Sequence, residues 1–154
     1  MSEKYVPTFT LNDGVEVPAV GLGTWKLRGD DAVTAVRSAI DIGYRHIDTA
    51  ALYRNEADIG RAIRDAISAG DVTREELFIT SKVWNDQQSD QEVQAAFRTS
   101  LTNLGLDYLD CYMVHWPCPS AGRHVERFAA LGTLQGLGDI RSIAVANYNG
   151  DQLR

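Results

Sequence analysis

The stretch that decides the fold is Leu77-Phe78-Ile79-Thr80-Ser81-Lys82-Val83, followed by Ser89–Leu104 and then Tyr108-Leu109-Asp110-Cys111-Tyr112-Met113-Val114-His115. The two flanking runs are short, largely apolar and rich in β-formers, as strands buried on both faces are. Between them Val93, Ala96, Phe97, Leu101 and Leu104 recur at helical spacing, and Gly105 follows as a stop. A strand, a helix and a strand joined by short connections form a parallel β-α-β unit, because parallel strands need a crossover of this length.

The same alternation extends outward. Toward the amino terminus, His46–Thr49 reads as a strand and Asn55–Ser68 as a helix, with Ile59, Ala62, Ile63, Ala66 and Ile67 on one face and a stop near Gly70. Before them, Ala19–Gly23 is a strand, and Asp30 or Asp31 caps a helix carrying Ala32, Val33, Val36, Ala39 and Ile40 up to Gly43. Residues 8–17 form a hairpin around Asn12-Asp13-Gly14. Toward the carboxyl terminus, Val125–Leu137 is a helix weakened by Gly132 and Gly136, Ile140–Ala146 a strand, and Asp151 the start of a further helix. The result is a hairpin and then five strands with four intervening helices. Either an open doubly wound sheet or part of a β/α barrel fits, and both place chemistry at the carboxyl ends of the strands.

Composition narrows the function classes. The chain has 154 residues, 44% hydrophobic and 23% charged, with a net charge of −6. An acidic chain lacks the basic field that nucleic acid or an anionic membrane requires, so neither is expected as a partner. No apolar run is long enough to span a membrane. Met1-Ser2-Glu3-Lys4 lacks the apolar core of a secretory signal. Cys111 and Cys118 form neither a C-x-x-C pair nor a zinc spacing, so reduced thiols, a cytoplasmic setting and no metal are expected.

The strand ends carry the chemistry. They read Gly21-Leu22-Gly23-Thr24-Trp25, His46-Ile47-Asp48-Thr49-Ala50 with Tyr53 beyond, Ser81-Lys82-Val83-Trp84, Val114-His115-Trp116-Pro117 and Val145-Ala146-Asn147. All three tryptophans, Trp25, Trp84 and Trp116, fall on this rim, where a pocket rather than a core places them. Taken singly, Asp48 suits a strand-end turn, Tyr53 a half-buried aromatic and His115 a core histidine. Lys82 differs, because a strand entering the interior rarely carries an unpaired lysine. Together, Asp48 keeps Lys82 charged and aimed, and the ammonium is expected to draw the Tyr53 pKa below its usual ~10, making a general acid for neutral pH. His115 is placed to donate to a substrate oxygen. Such a site protonates an oxyanion while a cofactor supplies the hydride.

These motifs, with Gly43-Tyr44-Arg45-His46-Ile47-Asp48-Thr49-Ala50, Asn55-Glu56, Ile79-Thr80-Ser81-Lys82-Val83-Trp84 and Leu106-Asp107-Tyr108-Leu109-Asp110, resemble the aldo-keto reductase superfamily from about Leu11 onward, most closely its bacterial 2,5-diketogluconate-reductase-like branch. The resemblance implies a parallel (β/α)8 TIM-barrel type of α/β fold. Residues 1–154 would form one domain incomplete at its carboxyl end: the hairpin at 8–17, then β/α units over 19–154 with about the first five strands. It implies NADPH-dependent reduction of a small aldehyde or ketone, with Asp48, Tyr53, Lys82 and His115 catalytic. Gly23, Thr24, Trp25, Asp48 and Asn147 would touch the cofactor, and Trp25, Trp84, His115 and Trp116 the substrate. Ala146-Asn147 stands where the family has Ser-Asn, removing one hydrogen bond worth about 0.5–1.5 kcal/mol. The resemblance also implies a monomeric full-length form, whereas the 154-residue chain, with an open sheet edge, is expected to associate or to be unstable alone.

Overall fold

The structure, a computed structural model, describes residues 7–154, so the reading of Met1–Lys4 lies outside the described residues. An antiparallel hairpin, β1 (Thr8–Thr10) and β2 (Glu16–Pro18), precedes a five-stranded parallel sheet. Its strands are β3 (Gly21–Gly23), β4 (His46–Asp48), β5 (Phe78–Val83), β6 (Leu109–Val114) and β7 (Ile140–Val145). Between successive strands lie α1 (Gly29–Ile42), α2 (Glu56–Ala69), α3 (Asp90–Leu104) and α4 (His124–Gly136).

Strand order in the sheet is the order in the chain, β3-β4-β5-β6-β7, and each helix packs on the next. A doubly wound sheet reverses its strand order at a switch point. This one does not, which resolves the two architectures in favour of an arc of a (β/α) barrel.

The core lies between the sheet and this helical layer. Ile47, Ile79, Tyr112 and Val114 meet Ile59, Ile63, Val93, Phe97, Leu131 and Leu134, all fully buried. All six residues of β5, Ser81 and Lys82 included, are buried. A Cβ on Gly60 would stand 2.2 Å from the Leu104 carbonyl oxygen, so the close approach of α2 to the end of α3 requires glycine there.

Local signals act as expected where they are self-contained. Ser89 and Glu92 form a reciprocal capping box at the start of α3, and Gly43, Gly70 and Gly105 close α1, α2 and α3 in the left-handed conformation. The start of α1 is a correction. Neither Asp30 nor Asp31 is its cap. The helix begins at Gly29, whose N–H donates to Asp58 Oδ2 of α2 at 2.8 Å, so the capping acceptor comes from a neighbouring helix. Gly132 and Gly136 do not interrupt α4: they face open space while Ala130, Leu131 and Leu134 anchor it. Residues 151–153 form a turn instead of the expected helix; four residues supply none of the i to i+4 bonds a helix needs. Ser142 Oγ donates to Asp13 Oδ2 at 2.6 Å, tethering the hairpin turn to the amino-terminal half of β7, away from the carboxyl ends of the strands.

Candidate active site

Lys82, next to last on β5, is 6% exposed. Its Nζ donates to Asp48 Oδ1 at 2.6 Å, to Asp48 Oδ2 at 2.7 Å and to the Thr49 carbonyl at 2.9 Å. An ammonium has three protons, and all three are used. Asp48 ends β4, and parallel pairing of β4 with β5 brings the two side chains together.

Tyr53 closes a single 3-10 turn, Ala51–Tyr53, just beyond β4, and Arg28 donates to its carbonyl. Lys82 Nζ stands 5.3 Å from the centre of the Tyr53 ring. The His115 ring lies edge-on to Tyr53 at 5.7 Å, the Trp25 ring stacks on Tyr53 at 6.1 Å, and Trp84 lies edge-on to His115 at 5.2 Å. Asp48, Tyr53, Lys82, His115, Trp25 and Trp84 thus converge, from four strand ends. Trp25 is two-thirds exposed and Trp116, which follows His115, is 44% exposed, so both present ring surface to solvent.

The electrostatics of Tyr53 differ from the expectation. Burial and the Asp48 charge push its phenol above the usual tyrosine value. The physical reason is that burial, the larger effect, and the neighbouring Asp48 carboxylate both favour the neutral phenol, and that carboxylate also engages the Lys82 ammonium with both oxygens. Burial, then the nearby Lys82 charge, lower the His115 imidazole to about 4, so it is neutral at pH 7. Its Nδ1 is buried without a hydrogen-bond partner among the described residues.

The residues implied for the cofactor sit differently. Gly23 is exposed, with open space where a Cβ would stand. Thr24 is fully buried, and both its N–H and its hydroxyl donate to the Asp48 carbonyl, so it holds β3 to β4. Asn147 has a left-handed φ of 63°, and its Nδ2 donates to the His115 carbonyl at 2.9 Å, pinning the end of β6.

The model of the aldo/keto reductase family matches residues 19–154. The chain belongs to the aldo/keto reductase family. Among curated relatives, an aldo-keto reductase of Mycolicibacterium smegmatis is 46% identical over 147 residues, covering 96% of this chain and 52% of that protein. The methylglyoxal reductase DkgA of Escherichia coli is 44% identical over 138 residues, covering 90% of this chain and 48% of that protein. An aldo-keto reductase of the silkworm Bombyx mori, solved in complex with NADP, superposes with a TM-score of 0.89 at 42% identity, over 96% of this chain and 52% of that one. The chain therefore spans about half the length of the aldo-keto reductases it matches.

Asn55, Glu56 and Asp110 support the cluster from outside it, and their residue types alone do not mark them. Asn55, 1% exposed, accepts from the Thr49 hydroxyl at 2.9 Å and donates to the Thr24 and Leu27 carbonyls at 2.8 and 3.0 Å. It thereby ties the segments carrying Trp25 and Asp48. Glu56, also buried, accepts from Ser81 beside Lys82 at 2.6 Å. Asp110, fully buried, takes ion pairs from Arg74 and Arg141 and the N–H of Ile79, bracing β5 against β6. Asn55-Glu56 had entered only as part of a motif. A polar residue at a helix start reads locally as a cap, so its long-range partners are not visible in the sequence. Among the described residues no group of three or more His, Cys, Asp or Glu side chains suits a metal, and no helix is long and apolar enough to cross a membrane.

Proposed function

We propose that this site reduces the carbonyl of a small aldehyde or ketone to an alcohol, with NADPH as the cofactor. One observation carries the reading: a buried Lys82 paired with the half-buried Asp48, with a protonated phenol and a neutral imidazole beside them, at the carboxyl ends of barrel strands. The silkworm neighbour's complex with NADP and the reductase relatives support it.

When bound, NADPH supplies the hydride that reaches the carbonyl carbon. The residues present suit its nicotinamide end. Open space over Gly23 admits a flat ring, and Asn147, using only its Nδ2, keeps an Oδ1 that can accept from a carboxamide. Trp25 lies on the same rim, and the buried Thr24, donating twice to the Asp48 carbonyl, holds the strand ends that carry Trp25 and Asp48 together.

Tyr53 is the general acid. A phenol held above its ordinary value keeps its proton at pH 7, and it gives that proton to the carbonyl oxygen as negative charge develops there. Lys82, held by Asp48, then faces the phenolate left behind. His115, neutral, donates a hydrogen bond to the same oxygen without competing for its proton. Trp25 and Trp84 flank the reacting groups, and the exposed rings of Trp25 and Trp116 offer apolar surface to the substrate.

Replacing Tyr53 by Phe tests the assignment. Titration of the chain with NADPH should quench tryptophan emission in both forms, and only the parent should oxidise NADPH with an aldehyde. Turnover by a Tyr53→Phe chain that binds NADPH would refute Tyr53 as the acid. The proposal extends to a reducing, cytoplasmic setting, in keeping with two free thiols. The strands β3 and β7 end the sheet unpaired, which supports association of the 154-residue chain. Size-exclusion chromatography checks this, and a monomer with cooperative unfolding would count against it.

A further inference from the structure

Arg127 lies on α4, outside the cluster described above, and no sequence signal marks it. It is the largest fully buried side chain of the protein. Its Nη2 donates to the Trp84 carbonyl at 2.9 Å and its Nη1 to the Trp116 carbonyl at 3.1 Å. Among the described residues it forms no ion pair, and its Nε is buried without a hydrogen-bond partner. The side chains that feel its charge include the phenols of Tyr112 and Tyr148.

A guanidinium stripped of water and given no carboxylate is an expensive way to fill a core position. What it gains is geometric. The two carbonyls it grips belong to the residues that follow β5 and β6, and a planar fork fixes both at once as a point-charge lysine cannot. Those residues are two of the three rim tryptophans. Trp84 also packs edge-on against His115, and Trp116 follows His115 directly in the chain. On its other side, the His115 carbonyl is held by Asn147.

We propose that Arg127 is a positioning residue that sets the spacing of the Trp84 and Trp116 walls, and through them the seat of His115. It works from behind the pocket and touches neither substrate nor cofactor. The assignment rests on the reading of the cleft as a carbonyl site. The geometry it predicts can be measured without that chemistry.

The test uses Arg127→Met, which keeps the stem and removes the fork, and Arg127→Lys, which keeps the charge. Both are placed in a Trp25→Phe background so that emission comes from Trp84 and Trp116 alone. In the Met variant the acrylamide quenching constant should rise about twofold, because the loops open locally while the global fold persists. The Lys variant should restore part of that protection, since one ammonium can hold one carbonyl. With Trp25 present, the Met variant should raise KM for an aldehyde about tenfold and change kcat less than about threefold, as loosened pocket walls would. A folded Met variant with unchanged quenching overturns the proposal. If the Met variant does not fold, the Lys variant decides: greater quenching upholds the proposal and parent-like quenching overturns it. Failure of both to fold would assign Arg127 to fold stability and also overturn it. A quenching change in a chain that never oxidises NADPH would uphold the positioning role and refute the carbonyl reading.

Discussion

Replacing Asn55 by Ala probes the link between stability and the site most directly. The substitution deletes three hydrogen bonds, two buried and one part-buried, and their consequences differ. The Thr24 carbonyl keeps a second partner, the Leu27 N–H at 3.1 Å, so it loses only the net value of one bond, about 1 kcal/mol. The Thr49 hydroxyl loses its Asn55 partner in a buried setting and the Leu27 carbonyl in a part-buried one, at about 1–3 kcal/mol each with Leu27 at the lower end. The sum is about 3–5 kcal/mol after allowing a water to enter the space vacated by the amide. Against a total stability of roughly 5–15 kcal/mol this is a large fraction. For a chain of this length it should lower Tm by roughly 10 °C. Urea unfolding followed by circular dichroism measures the loss. Asn55→Asp should fare no better, because it restores the acceptor for Thr49 but sets a carboxylate oxygen against two carbonyls. A loss below about 1 kcal/mol in Asn55→Ala, at unchanged m-value, would refute the account of Asn55 as the tie between the β3 and β4 loops.

Other expectations can be checked separately. His115 has a folded value of about 4, below the unfolded ~6.5, so its contribution to stability is complete above pH 6.5 and is lost as the pH falls through 4. Its imidazole proton resonances should titrate near pH 4, and a midpoint above 6 would contradict the burial argument. Asp110→Ala leaves Arg74 and Arg141 without their shared carboxylate and should destabilise the chain by about 3–5 kcal/mol in urea unfolding. Burial pushes the Cys111 thiol up to about 12, so a disulfide reagent should modify the half-exposed Cys118 rapidly and Cys111 only on unfolding. Lys82→Met should abolish turnover with NADPH and aldehyde while tryptophan quenching by NADPH persists.

The sequence by itself determined the β/α alternation, because hydrophobic period and glycine stops are local properties of the chain. It also singled out Lys82, because a lysine in a strand entering the interior stands out against an apolar background, whereas Asp48, Tyr53, His115 and Trp84 drew notice only jointly, as neighbours at successive strand ends. Strand order was not legible in the alternation itself, since an identical alternation serves a doubly wound sheet; the motif resemblance implied a barrel, and the sequential strand order shows its arc. The cap of α1 escaped too, since its acceptor, Asp58, comes from another helix. So did the direction in which the Tyr53 pKa is shifted. Residue types predicted an ammonium beside a phenol, but how far the phenol is buried, and that a carboxylate also stands near it, is decided only by the packed strand ends. Asn55 and Arg127 define the other limit. Each binds main-chain carbonyls on other elements, and main-chain groups are the same at every position of a sequence. Which carbonyls lie within reach of a buried amide or guanidinium is settled only when the strands are side by side.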